Sequence, residues 1–209
     1  MKITLVSTFD KNGGAAVACN RLAHALANTD ADVKMLVRDK NRPDDIVVTT
    51  TNSWIKKALN FWRFAYERFC FLFYEKSKEV RFAFSMANTG ENIAKHSLIR
   101  QADVINMHWV HFGFLSLKSI EKLIALNKPI VWTLHDMWAF TGGCHYTGDC
   151  TAFKRVCGQC PYLKRPALTD LSNKIWNKKF EMLRNADVTF VASSKWLANT
   201  AFSSKLLKG

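Results

Sequence analysis

The segment TLHDMWAFTGGCHYTGDCTAFKRVCGQCPYL, residues 133–163, places two kinds of chemistry side by side. His135 and Asp136 directly follow an apolar run. The end of a buried strand in an open parallel sheet is where side chains meet a ligand. Histidine donates, accepts or shuttles a proton near neutral pH, and an adjacent carboxylate can orient it. Shortly after come Cys144, Cys150, Cys157 and Cys160, four of the chain's six cysteines. Four thiolates close a tetrahedral zinc shell without leaving an open position, so the site they imply is structural. Gly158, inside C-G-Q-C, eases the tight bend that two neighbouring ligands need. His145 can replace one cysteine. A C-x-x-C redox pair or an iron–sulfur cluster draws on the same residues. Against the redox pair, such a motif opens a helix, and here Pro161 follows.

Two other clusters have comparable placement. STFDKNGGAAVACNRLAHAL, residues 7–26, reads as a strand end, a loop with Gly13 and Gly14, and a helix from Ala15. Glycines let the backbone turn sharply and approach a ligand, and a helix N-terminus offers unpaired N–H groups to phosphate. The pattern is neither G-x-G-x-x-G nor a P-loop. DVINMHWVHFGF, residues 103–114, sets His108, Trp109 and His111 at another strand end. A histidine so placed can instead bond a nearby carbonyl.

Such residues converge only if the strands carrying them are parallel. Five buried strands are predicted, at 2–7, 32–37, 103–107, 129–134 and 187–192, each rich in Val, Ile or Leu. Helices are predicted at 15–27, 54–82, 91–99, 117–126, 171–184 and 195–202, with Asp170 and Ser194 as N-caps. Alternation of this kind gives an α/β, doubly wound parallel sheet with right-handed crossovers. Neither an internal repeat nor a Pro/Gly linker interrupts it, so residues 1–209 read as one domain. Residues 141–169 form a Cys-rich insertion, too long for an ordinary strand-to-helix loop. Cys19 and Cys70 fall on predicted helices as packing residues.

The chain has 209 residues, 48% of them hydrophobic, which supports a sizeable core. Its formal charge of +13 favours anionic partners: nucleic acid, an anionic membrane face or phosphorylated substrates. The apolar stretch Ile3–Val6 is too short for a signal-peptide core, and no run reaches the ~18 residues of a spanning helix. A cytoplasmic location follows as the expectation, with reduced cysteines. The predicted helix 54–82 carries Ile55, Leu59, Trp62, Tyr66, Phe69 and Phe73 as a stripe, with Phe61, Phe64 and Phe71 outside it. Lys56, Lys57, Arg63, Arg68, Lys76, Lys78 and Arg81 outnumber Glu67, Glu75 and Glu79. A packed helix needs a narrower apolar face; a basic helix with spare aromatics suits peripheral contact with a membrane surface or lipid acceptor.

These residues together resemble the N-terminal domain of a family 4 glycosyltransferase, of the retaining, nucleotide-sugar-dependent kind with two Rossmann-like domains (the GT-B fold). The likeness rests on GGAAVACNRLAHAL, FSMANTG at 84–90, ADVINMHWVHFGFLS, the His-Asp-to-cysteine block and VASSKWLA at 191–198. It points to a bacterial subgroup acting in surface polysaccharide or lipopolysaccharide assembly. It implies that Gly13 and Gly14 lie against the donor diphosphate or its sugar. His135 would sit beside the transferred sugar and Asp136 would orient it or help bind acceptor, the two forming the catalytic pair. His108 and Trp109 would help wall the acceptor side, and His111 is a further candidate substrate-binding residue. Such enzymes resemble one another in using no catalytic divalent metal. The nucleotide-binding C-terminal domain of the family is absent from this sequence, so the 209-residue chain is expected to be inactive alone. Two other readings use the same features. A zinc-bearing basic nucleic-acid binder would use the charge and the cysteines, but the basic residues gather with aromatics on one helix and not around the cysteines. The family resemblance therefore predicts no nucleic-acid partner. A nicotinamide oxidoreductase could use Asp39 for a ribose but lacks the glycine pattern.

Overall fold

A computed structural model describes residues 1–207. The strands β1 (Lys2–Phe9), β2 (Asp32–Asp39), β3 (Val47–Thr49), β4 (Val104–Met107), β5 (Ile130–Leu134) and β6 (Val188–Ala192) form one sheet in the order β3-β2-β1-β4-β5-β6. Every pairing is parallel. Strands buried on both faces need apolar residues at successive positions, and β1 buries Ile3 through Thr8 without a break. The order reverses between β1 and β4, so the crevice beyond their C-terminal ends is the ligand position of a doubly wound sheet.

Helices α1 (Gly14–Ala27), α2 (Trp54–Leu72), α3 (Ser97–Gln101), α4 (Leu117–Ile124), α5 (Leu171–Leu183) and α6 (Lys195–Phe202) connect the strands. On one face Ile3, Leu5, Val33, Met35 and Val37 pack against Cys19 and Ala23 of α1. On the other, Ile105, Met107, Trp132 and Leu134 meet Ile120, Leu123, Trp176 and Leu197. Asp170 and Ser194 cap α5 and α6 as expected, accepting from the Asn173 and Leu197 amides at 3.2 Å each.

Three elements depart from the sequence expectation by more than two residues at an end. Strand β3 was not foreseen, because three residues give too short a run to show a period. The expected helix over 91–99 is a single 3-10 turn, Ile93–Lys95, and then α3. His96 interrupts it with extended backbone (φ −65°, ψ 139°), and its Nδ1 accepts the Leu98 amide at 3.2 Å. The expected helix over 54–82 stops at Leu72, before Glu75-Lys76-Ser77-Lys78.

The Cys-rich insertion has one 3-10 turn, Ala152–Lys154, and is otherwise irregular. Backbone hydrogen bonds sew it to the segment after α2. Ser85 donates to Gly143, His145 to Ala83, Lys76 to Tyr162 and Lys164 to Tyr74, all at 2.7–3.0 Å. Phe71 stacks on Phe84 at 4.8 Å, in a third core with Cys144, Cys160 and Leu163.

Helix α2 is built inside out. It buries Asn60, Glu67, Arg68 and Phe71. Glu67 is 1% exposed and accepts the Ala87 amide at 3.0 Å while pairing with Arg68 at 3.1 Å. Arg68 donates to the carbonyls of Arg81 and Phe84 and lies over the rings of Phe71 and Phe82. Deleting one partner of such a pair strands a buried charge, at a cost of about 3–5 kcal/mol. Meanwhile Ile55, Leu59, Trp62, Tyr66, Phe69 and Phe73 are all exposed, as are Trp54 and Phe61. The apolar stripe read from the sequence is the outer face of the helix.

Candidate active site

Strand β1 ends at Phe9, and the chain turns through Gly13 into α1. Gly13 has φ +91°, a left-handed conformation that disfavours side chains, and open space lies where its Cβ would be. No side chain caps α1 and no acidic residue occupies its first turn, so its leading N–H groups remain available to an anion. Strand β5 ends at Leu134 and presents His135 and Asp136. Both glycines, both of these residues, Trp109, Phe112 and Tyr146 line one cleft of about 520 Å³. The sheet thus brings Gly13, Gly14 and His135 to one opening.

His108 and His111 stand behind that wall, 3% and 5% exposed. His108 Nδ1 lies 2.9 Å from His135 Nε2, and His108 Nε2 lies 2.8 Å from Asn106 Oδ1. Asn106 Nδ2 donates to the Val131 carbonyl at 2.9 Å and to Thr133 Oγ1 at 3.0 Å. His111 packs edge-on against Trp138 and His145, its Nδ1 without a hydrogen-bond partner, and its carbonyl accepts from Thr8 Oγ1 at 3.0 Å. Neither ring reaches the cleft surface; Trp109 does.

Asp136 is a junction. Its Oδ2 accepts from Trp109 Nε1 at 3.0 Å and from His145 Nδ1 at 2.7 Å, and its Oδ1 accepts the Trp138 amide at 2.8 Å. Burial works to raise its carboxyl, but the hydrogen bonds from His145 and the Trp138 amide outweigh it and bring it to about 2. A carboxylate so occupied orients its neighbours and makes a poor general base. His145 Nε2 contacts Ser85 Oγ at 2.9 Å, so this ring is committed away from the cysteines. Among the described residues, ligand atoms of His111, Asp136 and His145 gather within 4.8 Å. Within the trio Asp136 and His145 are hydrogen-bonded to each other, while His111 meets His145 through ring contact.

Cys144, Cys150, Cys157 and Cys160 line a separate small cavity of about 20 Å³. Its volume suits one ion or one water. All four thiols are free. Gly142 donates its amide to Cys157 Sγ at 3.1 Å. Burial pushes the Cys144 and Cys157 thiols up to about 12. The tight bend in C-G-Q-C falls elsewhere than expected: Gln159 takes the left-handed conformation (φ 48°). Gly158 is required for space, because a Cβ there would sit 2.6 Å from the Leu168 carbonyl. Fully buried Lys179 reaches from α5 to the carbonyls of Trp138 and Thr141, between the cysteines and Asp136.

The sequence reading did not single out Phe9, Phe112 or Tyr146 in the cleft, nor Asn106 and Ser85 behind it. Asn106 carried a signal, a lone amide in the apolar strand Val-Ile-Asn-Met. The others are aromatic or small residues whose role depends on loop geometry.

A family model described as Glycosyltransferase Family 4 matches residues 12–201. The provisionally named colanic acid biosynthesis glycosyl transferase WcaC of Escherichia coli (strain K12) is 32% identical over 112 residues. That alignment takes in 48% of this chain and 27% of the relative's length.

Three imidazoles at the site are held below the ordinary value of 6.5 chiefly by burial, His135, His111 and His108, the last at about 3, and His96, away from it, is lowered for the same reason. The neighbouring His145, Lys179 and Arg68 add to the effect at His111, and Asp136 opposes it. The folded protein keeps these rings neutral where the unfolded chain protonates them. Their contribution to stability is therefore complete above pH 6.5 and is lost as pH falls from there toward 3. Urea unfolding between about pH 7 and about pH 4 is expected to show a falling midpoint, and His108→Gln a shallower fall than wild type. Equal slopes in the two proteins would contradict this.

Proposed function

Because this chain belongs to glycosyltransferase family 4, we propose that it is the acceptor-side half of an enzyme moving a sugar from a nucleotide-sugar to a glycan or lipid-linked acceptor. The observation that carries the reading is the shared cleft, with Gly13 and Gly14 on one side and His135 on the other. Sugar transfer breaks the bond between the anomeric carbon and the donor diphosphate, and negative charge grows on the departing oxygen. Free N–H groups at the start of α1 and its dipole suit that charge. In this reading His135, which lines the cleft, bonds a hydroxyl of the sugar, and Trp109, held by Asp136, forms a flat wall against a ring. Asp136 acts in this reading by holding the wall. Retention of configuration, the two-lobed GT-B arrangement and a surface-polysaccharide acceptor belong to the same proposal, supported by the resemblance and by the name of the relative. Joined to a C-terminal nucleotide-binding domain of the family, the chain is expected to transfer sugar, and alone it is not. In the joined enzyme His135→Ala is expected to lower kcat by about 100-fold. Rapid transfer by the 209-residue chain alone, or an unaffected H135A enzyme, would refute the assignment.

We propose further that the outer face of α2 rests on an anionic membrane surface. Among the described residues no helix is long and apolar enough to cross a membrane. What favours surface contact is the exposed row Trp54, Phe61, Trp62, Phe69 and Phe73, with Lys57, Lys76 and Lys78 exposed beside it. Phe64 of α2 packs edge-on against Phe112, a cleft residue, at 5.5 Å. Gly113 makes the approach possible, since a Cβ there would lie 2.8 Å from the Phe64 nitrogen. Trp62→Asp combined with Phe69→Asp should leave folding intact and weaken sedimentation with anionic vesicles by about tenfold or more. Binding that is equal for both proteins would remove this part.

The cysteines fit a structural zinc ion. Cys144, Cys150, Cys157 and Cys160 share one ion-sized cavity, and a backbone amide already points at one sulfur. A bound zinc would cross-link the insertion without entering the reaction. Purified chain is expected to carry about one zinc, and Cys157→Ser with Cys160→Ser to lose it together with thermal stability. A visible absorbance from iron and sulfide, or metal content unchanged in the double variant, would exclude this set.

A further inference from the structure

The sugar-transfer reading assigns His135 a place but not a protonation state. The hydrogen bonds behind it supply one. Asn106 Nδ2 points at the Val131 carbonyl and at Thr133 Oγ1. A carbonyl only accepts, so the amide nitrogen belongs on that side and Oδ1 faces His108. Oδ1 also only accepts, so His108 must carry its proton on Nε2, which lies 2.8 Å away. A neutral ring has one N–H, which leaves His108 Nδ1 as a bare acceptor. Its contact is His135 Nε2 at 2.9 Å, which must therefore hold the shared proton. The second nitrogen of His135 is then unprotonated.

From this chain we propose that Asn106 and His108 are positioning residues: they fix His135 as its Nε2–H tautomer and leave Nδ1 as a lone-pair acceptor for a substrate hydroxyl. The proposal rests on the sugar-transfer reading for the identity of that hydroxyl. Among the described residues Nδ1 of His135 has no hydrogen-bond partner, and it is not one of the buried unpartnered atoms, while the residue itself lines the cleft. The backbone is steadied as well, because the Tyr146 hydroxyl donates to the His135 carbonyl at 3.4 Å. The sequence of acceptors needs His108 neutral. It is 3% exposed, and the ionisable group it touches is His135 itself. Burial, with the neighbouring ring second, depresses it to about 3, in keeping with the geometry.

This arrangement makes the cleft selective in a definite sense. A sugar hydroxyl meeting His135 must donate. A ligand carrying an ether or a hydrogen at that position leaves Nδ1 without its bond, and it binds less well.

The test is a nitrogen-15 spectrum of the histidine rings in the 209-residue chain, with His108 and His135 assigned by His108→Gln and His135→Gln. Both rings are expected to be neutral and protonated on Nε2 at neutral pH. In Asn106→Asp, the carboxylate favours a doubly protonated His108. That ring then donates from Nδ1, and the proton of His135 moves to its own Nδ1. A wild-type His135 protonated on Nδ1 would overturn the proposal, as would an unchanged His135 in folded Asn106→Asp. Should Asn106→Asp not fold, the wild-type spectrum decides. No sugar enters this measurement, so the relay is judged apart from the transfer assignment. In the enzyme joined to its donor-binding half, Asn106→Asp is expected to cut kcat by about tenfold while KM for the nucleotide-sugar holds. A change confined to KM would argue against a positioning role.

Discussion

One buried carboxylate ties the working parts of this domain together. Asp136 receives the indole of Trp109 from the loop after β4, the amide of Trp138 from its own loop, and the imidazole of His145 from the Cys-rich insertion. Charged acceptors with several donors make the stronger hydrogen bonds of a protein interior, and losing one donor leaves desolvated charge behind. The wall of the cleft, the floor beneath it and the insertion are therefore held in register by a single group. That explains why the His-Asp pair and the cysteines are neighbours in sequence. The insertion leaves the sheet right after Asp136 and returns His145 to it, so a short connection is enough to close the junction.

Helix α2 obeys a different rule from the rest. Elsewhere apolar side chains go inward and the sheet is covered on both faces. In α2 the inward positions are Asn60, the Glu67–Arg68 pair and Phe71; the pair bonds backbone groups of 81–87 and Asn60 bonds Thr51 and Arg63, while most of the aromatics face out. The polar groups give direction where apolar packing alone would not. Glu67 and Arg68 can be satisfied in only one rotation of the helix, which determines which face is turned outward.

Much of the architecture was legible in the sequence. Strands such as Lys2–Phe9 and Ile130–Leu134 are Val-, Ile- or Leu-rich stretches alternating with helical segments, and that alternation calls for a parallel sheet. Positions that follow from strand ends were also legible: Gly13, Gly14, His135 and Trp109 share the cleft because parallel strands all finish on one side. Less visible was anything decided by partners distant in the chain. Val47–Thr49 is a strand only because β2 offers its edge, and His108 and His111 look like cleft residues until Trp109 and Trp138 are seen to stand before and beside them. Rotation of α2 was hidden for the same reason. Its stripe has a clear helical period, and period says which residues share a face but not whether that face is covered.

The link from Phe64 to Phe112 has a kinetic meaning. On the proposed seating, the helix that touches the lipid surface also touches the rim of the cleft. A lipid-carried acceptor would then find its catalyst by lateral diffusion in a plane and would not have to be extracted into bulk water. Turnover would scale with how densely acceptor is packed per unit of membrane area, and soluble analogues of the same glycan would be poor substrates however well they filled the cleft.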